Sequence, residues 1–114
     1  MIKREGRGIL TYKSGAKYIG DFKGGKKEGK GIYYYNDKNR YEGDFKNDKK
    51  EGRGLFYWNN GDIYEGEYKD DNLNGRGVYY YSSGIREMGD FSNGEEIGVH
   101  ISLHPDGKFS KHTF

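Results

Sequence analysis

The run Gly24-Gly-Lys-Lys-Glu-Gly29-Lys30 has the spacing GxxxxGK, in which loop amides and a lysine would cradle the phosphates of a nucleotide. That chemistry needs Ser or Thr next, to reach Mg²⁺, and a helix to carry the loop. Gly31 stands there instead and no helical period follows, so the segment reads as a hairpin turn. His100, His104 and His112 are metal-ligand types. His100 and His104 share a strand face but are ~13 Å apart in an extended chain, too far for one ion. Glu65, Glu67, Asp70 and Asp71 are of the types that hold Ca²⁺ or do acid–base work, but Glu67 faces Arg76 and the rest read as a solvated face. Rings interleaved with Lys and Arg would stack on bases, yet a net charge of +2 lacks the footprint that nucleic acid demands. No catalytic residue, cofactor, metal, nucleic acid or small-molecule substrate is therefore expected.

What remains is a surface, and composition limits its kind. Apolar residues make up 32% of the 114 and charged residues 33%, too polar for a two-layer core. The 17% aromatic content argues for order, because Tyr, Phe and Trp bury large areas and favour strands. There is no cysteine to form a disulfide or a thiolate metal site. No stretch approaches a membrane span, and residues 1–12 lack the apolar core of a signal peptide. Charge is uneven: residues 1–40 carry eleven Lys/Arg against four Asp/Glu, and residues 41–114 nine against fourteen. The basic end suits an acidic partner or an anionic membrane surface.

The elements that display these residues repeat every 23 positions. Units begin at Tyr18, Tyr41, Tyr64 and Glu87, with aromatic and glycine positions in phase, and residues 1–17 form the second half of a further unit. Beginning inside a unit fits either a natural half-hairpin cap or excision from a longer array. Within a unit, positions 1–6 (Tyr41–Lys46) and 12–18 (Gly52–Trp58) alternate in residue type around a polar turn, Asn47–Glu51, which is a hairpin signature. Links between units carry a turn glycine, as in Asn59-Asn60-Gly61, Ser82-Ser83-Gly84 and Pro105-Asp106-Gly107. Lys38 takes that place in the first full unit, so a looser link is expected there.

Closing each hairpin so that positions sum to 17 pairs Asp21 with Lys30, Asp44 with Arg53, Glu67 with Arg76, Lys23 with Glu28 and Lys46 with Glu51. The same register sets the ring at position 5 (Phe22, Phe45, Tyr68, Phe91) against the first glycine of the pair, and Gly20, Gly43 and Gly66 against the second. The expected fold is all-β: a single elongated, twisted antiparallel sheet of stacked hairpins, about ten strands and ~45–50 Å long. Positions 1, 3, 5, 12, 14, 16 and 18 form an aromatic–glycine face. The reverse face carries the charge ladder with Ile32, Leu55, Val78, Tyr34, Tyr57 and Tyr80.

The pattern Y-x-G-x-F/Y, then G-x-G, then a turn glycine resembles the MORN (membrane occupation and recognition nexus) repeat. Its marks are Tyr18-Ile-Gly20-Asp-Phe22 with Gly29-Lys30-Gly31, Tyr41-Glu-Gly43-Asp-Phe45 with Gly52-Arg53-Gly54, and Tyr64-Glu-Gly66-Glu-Tyr68 with Gly75-Arg76-Gly77. The resemblance covers essentially the whole chain as one domain, 1–114: a half unit 1–17, full units 18–40, 41–63 and 64–86, and a degenerate capping unit with a terminal strand at 87–114. In that last unit Glu87 replaces Tyr, His100 the second glycine, and Ser102 and His104 replace aromatics. Val99 at position 13 removes the charge pair with Asp90, and Lys108–Phe114 would be the final edge strand. Gly/Tyr-rich hairpins that hold choline or cell-wall sugars are built on recurrent tryptophans, whereas here Trp58 stands alone.

The resemblance implies a grooved sheet for protein–protein contact, dimerisation and scaffolding at membranes or the cytoskeleton, in proteins where any catalysis belongs to other domains. The expected function is a non-catalytic scaffold, cytoplasmic or beside membrane or cytoskeleton. A trough of Tyr18, Phe22, Tyr33, Tyr41, Phe45, Phe56, Trp58, Tyr64, Tyr68 and Tyr79 would take a partner protein, such as an amphipathic helix, or an identical subunit. The alternative is peripheral binding to anionic phospholipid through Lys3, Arg4, Arg7, Lys26, Lys27, Lys49 and Lys50.

Overall fold

The computed structural model describes residues 3–114. Ten strands follow one another in an antiparallel meander, each hydrogen-bonded only to its sequence neighbours. They are β1 (Gly6–Thr11), β2 (Lys17–Lys23), β3 (Lys26–Tyr34), β4 (Arg40–Lys46), β5 (Lys49–Tyr57), β6 (Ile63–Lys69), β7 (Asn72–Tyr80), β8 (Arg86–Ser92), β9 (Glu95–Leu103) and β10 (Phe109–Thr113). The array is 56 Å long and 24 × 19 Å across, somewhat longer than strand spacing alone suggests.

The hairpin turns are tighter than expected. Two residues suffice, with both at positive φ: Gly24–Gly25, Asn47–Asp48, Asp70–Asp71 and Asn93–Gly94. Left-handed pairs of this kind match the twist of the flanking strands. Such a turn fixes Lys23 opposite Lys26 and Phe22 opposite Lys27. A bulge then sets Glu28, Gly29 and Lys30 against the single residue Asp21, and beyond it Gly20 faces Gly31 and Tyr18 faces Tyr33. Gly29, Gly52 and Gly75 sit in these bulges at φ 89°, 79° and 95°, where a side chain would be strained.

The bulge corrects the charge register. The sum-17 pairing holds for positions 1–3, but Lys23 and Lys46 meet Lys26 and Lys49, so their pairs with Glu28 and Glu51 do not form. Asp21, Asp44 and Glu67 turn inward and accept the backbone N–H of Lys30, Arg53 and Arg76. The cations reach across the next seam instead: Arg7 to Asp21, Lys30 to Asp44 and Arg76 to Asp90. Asp90 therefore has a partner despite Val99. The ring at position 5 likewise faces the bulge glycine of the preceding hairpin, as Phe45 faces Gly29 and Tyr68 faces Gly52. Charge complementarity joins units here and does not close them.

Both long edges are stitched. At the tips Asp48 N–H donates to the Lys27 carbonyl while its carboxylate accepts from Lys27 N–H, and Asp71 does the same to Lys50. At the links Gly15, Gly61, Gly84 and Gly107 take left-handed φ, and Lys38 takes it too, at 73°. The Lys38 turn closes at 3.3 Å where the glycine turns close at 2.9–3.0 Å, which is the looser link expected of a side chain there.

Candidate functional site

The glycine pairs line up across the sheet from Gly8 on β1 to Gly89 on β8, leaving a furrow without side chains. The tyrosine at position 1 lies down in it. A Cβ on Gly54 would sit 2.4 Å from the Tyr41 ring, and Gly31 and Gly77 stand the same way to Tyr18 and Tyr64. Each hydroxyl donates to the carbonyl of the acidic residue opposite the bulge: Tyr18 to Asp21 at 2.8 Å, Tyr41 to Asp44 at 2.9 Å and Tyr64 to Glu67 at 3.4 Å. Position-5 rings stand between them edge-on. From Phe22 through Tyr18, Phe45, Tyr41, Tyr68 and Tyr64 to Phe91, centroids step by 5.1–5.6 Å at 82–89°. Such edge-to-face contacts add about 0.5–1.5 kcal/mol each beyond burial.

This inner ladder is the core. Tyr18, Tyr41 and Tyr64 have no exposed surface, and Phe22, Phe45 and Tyr68 retain 4–5%. Burial, reinforced by the neighbouring Asp21 and Glu67 carboxylates, pushes the Tyr18 and Tyr64 phenols up to about 12, and Tyr41 and Tyr68 go higher still. Six of the ten rings expected to line the trough therefore present almost no surface to a partner.

The other four, Tyr33, Phe56, Trp58 and Tyr79, are half-buried on the same face. They belong to a second, outer ladder running Tyr12, Tyr33, Tyr35, Phe56, Trp58, Tyr79, Tyr81. Its centroids are 4.6–5.7 Å apart and its planes are tilted by 34–56°. Tyr12, Tyr35 and Tyr81 were not among the expected trough residues. All three occupy position 18, as Trp58 does, and that shared phase is the signal for them. The ladder stops at Tyr81, because Ser102 and His104 hold the equivalent places in the last unit.

Position 10 ties the ladders together. Lys50 Nζ lies 5.5–5.7 Å from the centroids of Tyr35, Tyr41, Phe56 and Tyr68 and donates to the Tyr35 hydroxyl at 3.1 Å. Burial lowers its pKa, partly opposed by Asp71. Lys27 is held the same way by Tyr12, Tyr18 and Tyr33 and pairs with Asp48 at 3.6 Å. Two of the seven expected lipid contacts are thus occupied within the array. Lys3, Arg4, Arg7, Lys26 and Lys49 are exposed. Between the ladders Lys27, Lys50, Asp48 and Asp71 line a depression walled by Tyr33, Tyr35 and Phe45. At the link edge Tyr79 donates to Asp62, whose carboxyl is held below its usual range by the Ser82 N–H it accepts.

The MORN repeat model matches residues 2–17, 18–40, 41–63 and 64–86. The chain belongs to the MORN repeat family. No curated protein matches it. Among solved structures it is similar to the SAS-4 (dCPAP) TCP domain of Drosophila melanogaster in complex with a proline rich motif of Ana2 (dSTIL). The TM-score is 0.55 at 14% identity, over 96% of this chain and 73% of that one. At that identity the likeness speaks to the sheet alone. MORN repeats in a single open sheet fit a protein-interaction scaffold.

Proposed function

We propose that this MORN array is a non-catalytic scaffold whose outer ring ladder receives an extended, proline-bearing segment of a partner protein. The observation that carries the reading is the division of the rings. The inner ladder is consumed by the fold, whereas seven part-open rings continue along the same face with no covering element among the described residues. A polyproline II ridge suits tilted aromatic steps, since it is pre-ordered and leaves its carbonyls free for phenol donors. The proline rich motif held by the TCP domain supports this choice over an amphipathic helix, which would need a continuous apolar trough. Here the floor between the ladders carries Lys27, Lys50, Asp48 and Asp71.

Titration of proline-rich, amphipathic-helical and scrambled peptides, followed by Trp58 emission and by calorimetry, tests the reading. Proline-rich peptides should bind, and Trp58→Ala should weaken them about thirtyfold, as expected for a central aromatic anchor. Preference for the helical peptide, or indifference to Trp58→Ala, overturns it. An anionic membrane remains the alternative, resting on Lys3, Arg4, Arg7, Lys26 and Lys49. It calls for salt-sensitive liposome binding that Lys26→Ala with Lys49→Ala abolishes.

A further inference from the structure

The last hairpin departs from the regular ones at three positions that meet in space. Position 1 is Glu87 where Tyr18, Tyr41 and Tyr64 lie down in the furrow. Position 10 is Glu96 where Lys27, Lys50 and Leu73 stand, and position 14 is His100 in place of glycine. Glu87 is on β8, and Glu96 and His100 are on β9. One carboxylate oxygen from each glutamate and a ring nitrogen of His100 lie within 4.8 Å of one another. We propose that Glu87, Glu96 and His100 form a site for a divalent transition-metal ion of the Zn²⁺ class, which staples β8 to β9 at the end of the array.

The first support is the orientation of the imidazole. His100 is 1% exposed and fills the furrow over Gly89, as the tyrosines do over their glycines. Its Nε2 lies 2.9 Å from the Asp90 carbonyl, which can only accept, so Nε2 carries a proton. That repeats the bond from the furrow tyrosines to the position-4 carbonyl and leaves Nδ1 as the free nitrogen, 2.8 Å from Glu87 Oε2. Ligating histidines characteristically donate their second N–H to a backbone carbonyl in this way. The other oxygen of Glu87 accepts from Tyr81 at 3.2 Å, which fixes the plane of the carboxylate.

The second support is Glu96. An imidazole–carboxylate pair alone would account for Glu87 and His100. It leaves Glu96 half-buried beside another carboxylate, with no hydrogen bond or ion pair to any of the described residues. Like charges so placed repel, and a cation between them removes the conflict. One nitrogen and two carboxylate oxygens suit Zn²⁺ or Mn²⁺ over Ca²⁺, which prefers oxygen alone. Bonds of about 2.0–2.2 Å require donors roughly 3–4 Å apart, so small side-chain movements close the site and water takes the remaining position.

The test uses the full chain, stripped with chelator and titrated with Zn²⁺, or with Co²⁺ for its visible absorption. One equivalent should bind, raise the melting temperature and develop the bands of a nitrogen–oxygen site. Glu96→Gln, which removes no bond of the fold and relieves the repulsion with Glu87, should lower the affinity for Zn²⁺ at least tenfold without lowering the melting temperature of the stripped protein. His104→Gln with His112→Gln should change neither. No stabilisation by either ion, full binding by Glu96→Gln, or loss of binding in the His104/His112 variant would each overturn the site.

Discussion

The inner and outer ring ladders share one face, one repeat and an aromatic composition, yet they differ in what surrounds each ring. An inner ring such as Tyr41 lies on glycine, is flanked edge-on by Phe45 and Tyr68, and donates its hydroxyl to the Asp44 carbonyl. An outer ring such as Trp58 has neighbours along the ladder, Phe56 and Tyr79, with its remaining side half-open. A one-layer sheet has no second layer to bury against. It makes a core by deleting side chains from a furrow and laying rings into it. Rings for which no furrow exists are left as surface. Position 18 is therefore free to serve a partner, where position 1 is not.

Alkali should break the inner ladder first and most completely. Its phenols ionise in the unfolded chain near 10, but in the array only at about 12 for Tyr18 and Tyr64 and higher for Tyr41 and Tyr68. Above pH 10 the unfolded state therefore binds fewer protons than the folded one, and stability falls as pH rises. Lys50, shifted downward by burial, acts in the opposite sense below its ordinary value and softens the onset. Denaturant midpoints should stay nearly level up to pH 10 and drop steeply from there through pH 12. Tyrosinate absorbance should appear together with loss of the sheet. Gradual ionisation of all the tyrosines near pH 10, with the sheet intact, would mean that the inner phenols are not protected by their burial.

Removing one inner ring comes next in size. Tyr41→Ala deletes a fully buried ring and the hydroxyl that satisfies the Asp44 carbonyl, and should cost about 3–5 kcal/mol by urea unfolding. Tyr41→Phe keeps the ring and should cost about 1 kcal/mol. Gly54→Ala attacks the same contact from below. Its methyl would stand 2.4 Å from the Tyr41 ring, so the ring must rise out of the furrow, at about 2–3 kcal/mol. Tyr41→Ala combined with Gly54→Ala should then cost less than the two separate losses added, because the clash needs the ring.

Much of this was legible in the chain. Alternation, turn glycines and the 23-residue phase predict ten strands in order, and the tyrosine and glycine positions predict which face holds the rings. The seam on which each charge pair falls was not legible. A bulge adds residues without marking the local pattern, so pairing by position assigned Lys30 to Asp21 within its hairpin when it reaches Asp44 in the next. The division of the trough into core and surface also escaped. Position 1 and position 16 are both tyrosine-rich, and only the lie of Tyr18 over Gly31 distinguishes them. The convergence of Glu87, Glu96 and His100 was hidden for a third reason. A search by residue type links histidine to histidine along a strand, whereas this cluster forms across a hairpin.

Removing an outer ring should cost less stability than removing an inner one, and it sharpens the comparison most. Trp58→Ala removes a half-buried ring whose neighbours Phe56 and Tyr79 remain in contact with Tyr35 and Tyr81. No backbone group loses a side-chain partner, since the links on either side close through Asn59 to Asn39 and Ser82 to Asp62. The cost should be about 1–2 kcal/mol, well below that of Tyr41→Ala, because part of the ring already faces water. Peptide affinity should move the other way, with Trp58→Ala losing about thirtyfold and Tyr41→Ala, measured where it is still folded, almost nothing. Plotting stability loss against affinity loss for the two substitutions should place them on opposite axes. If both fell on one diagonal, the ladders would be a single core and the outer rings would not constitute a binding surface.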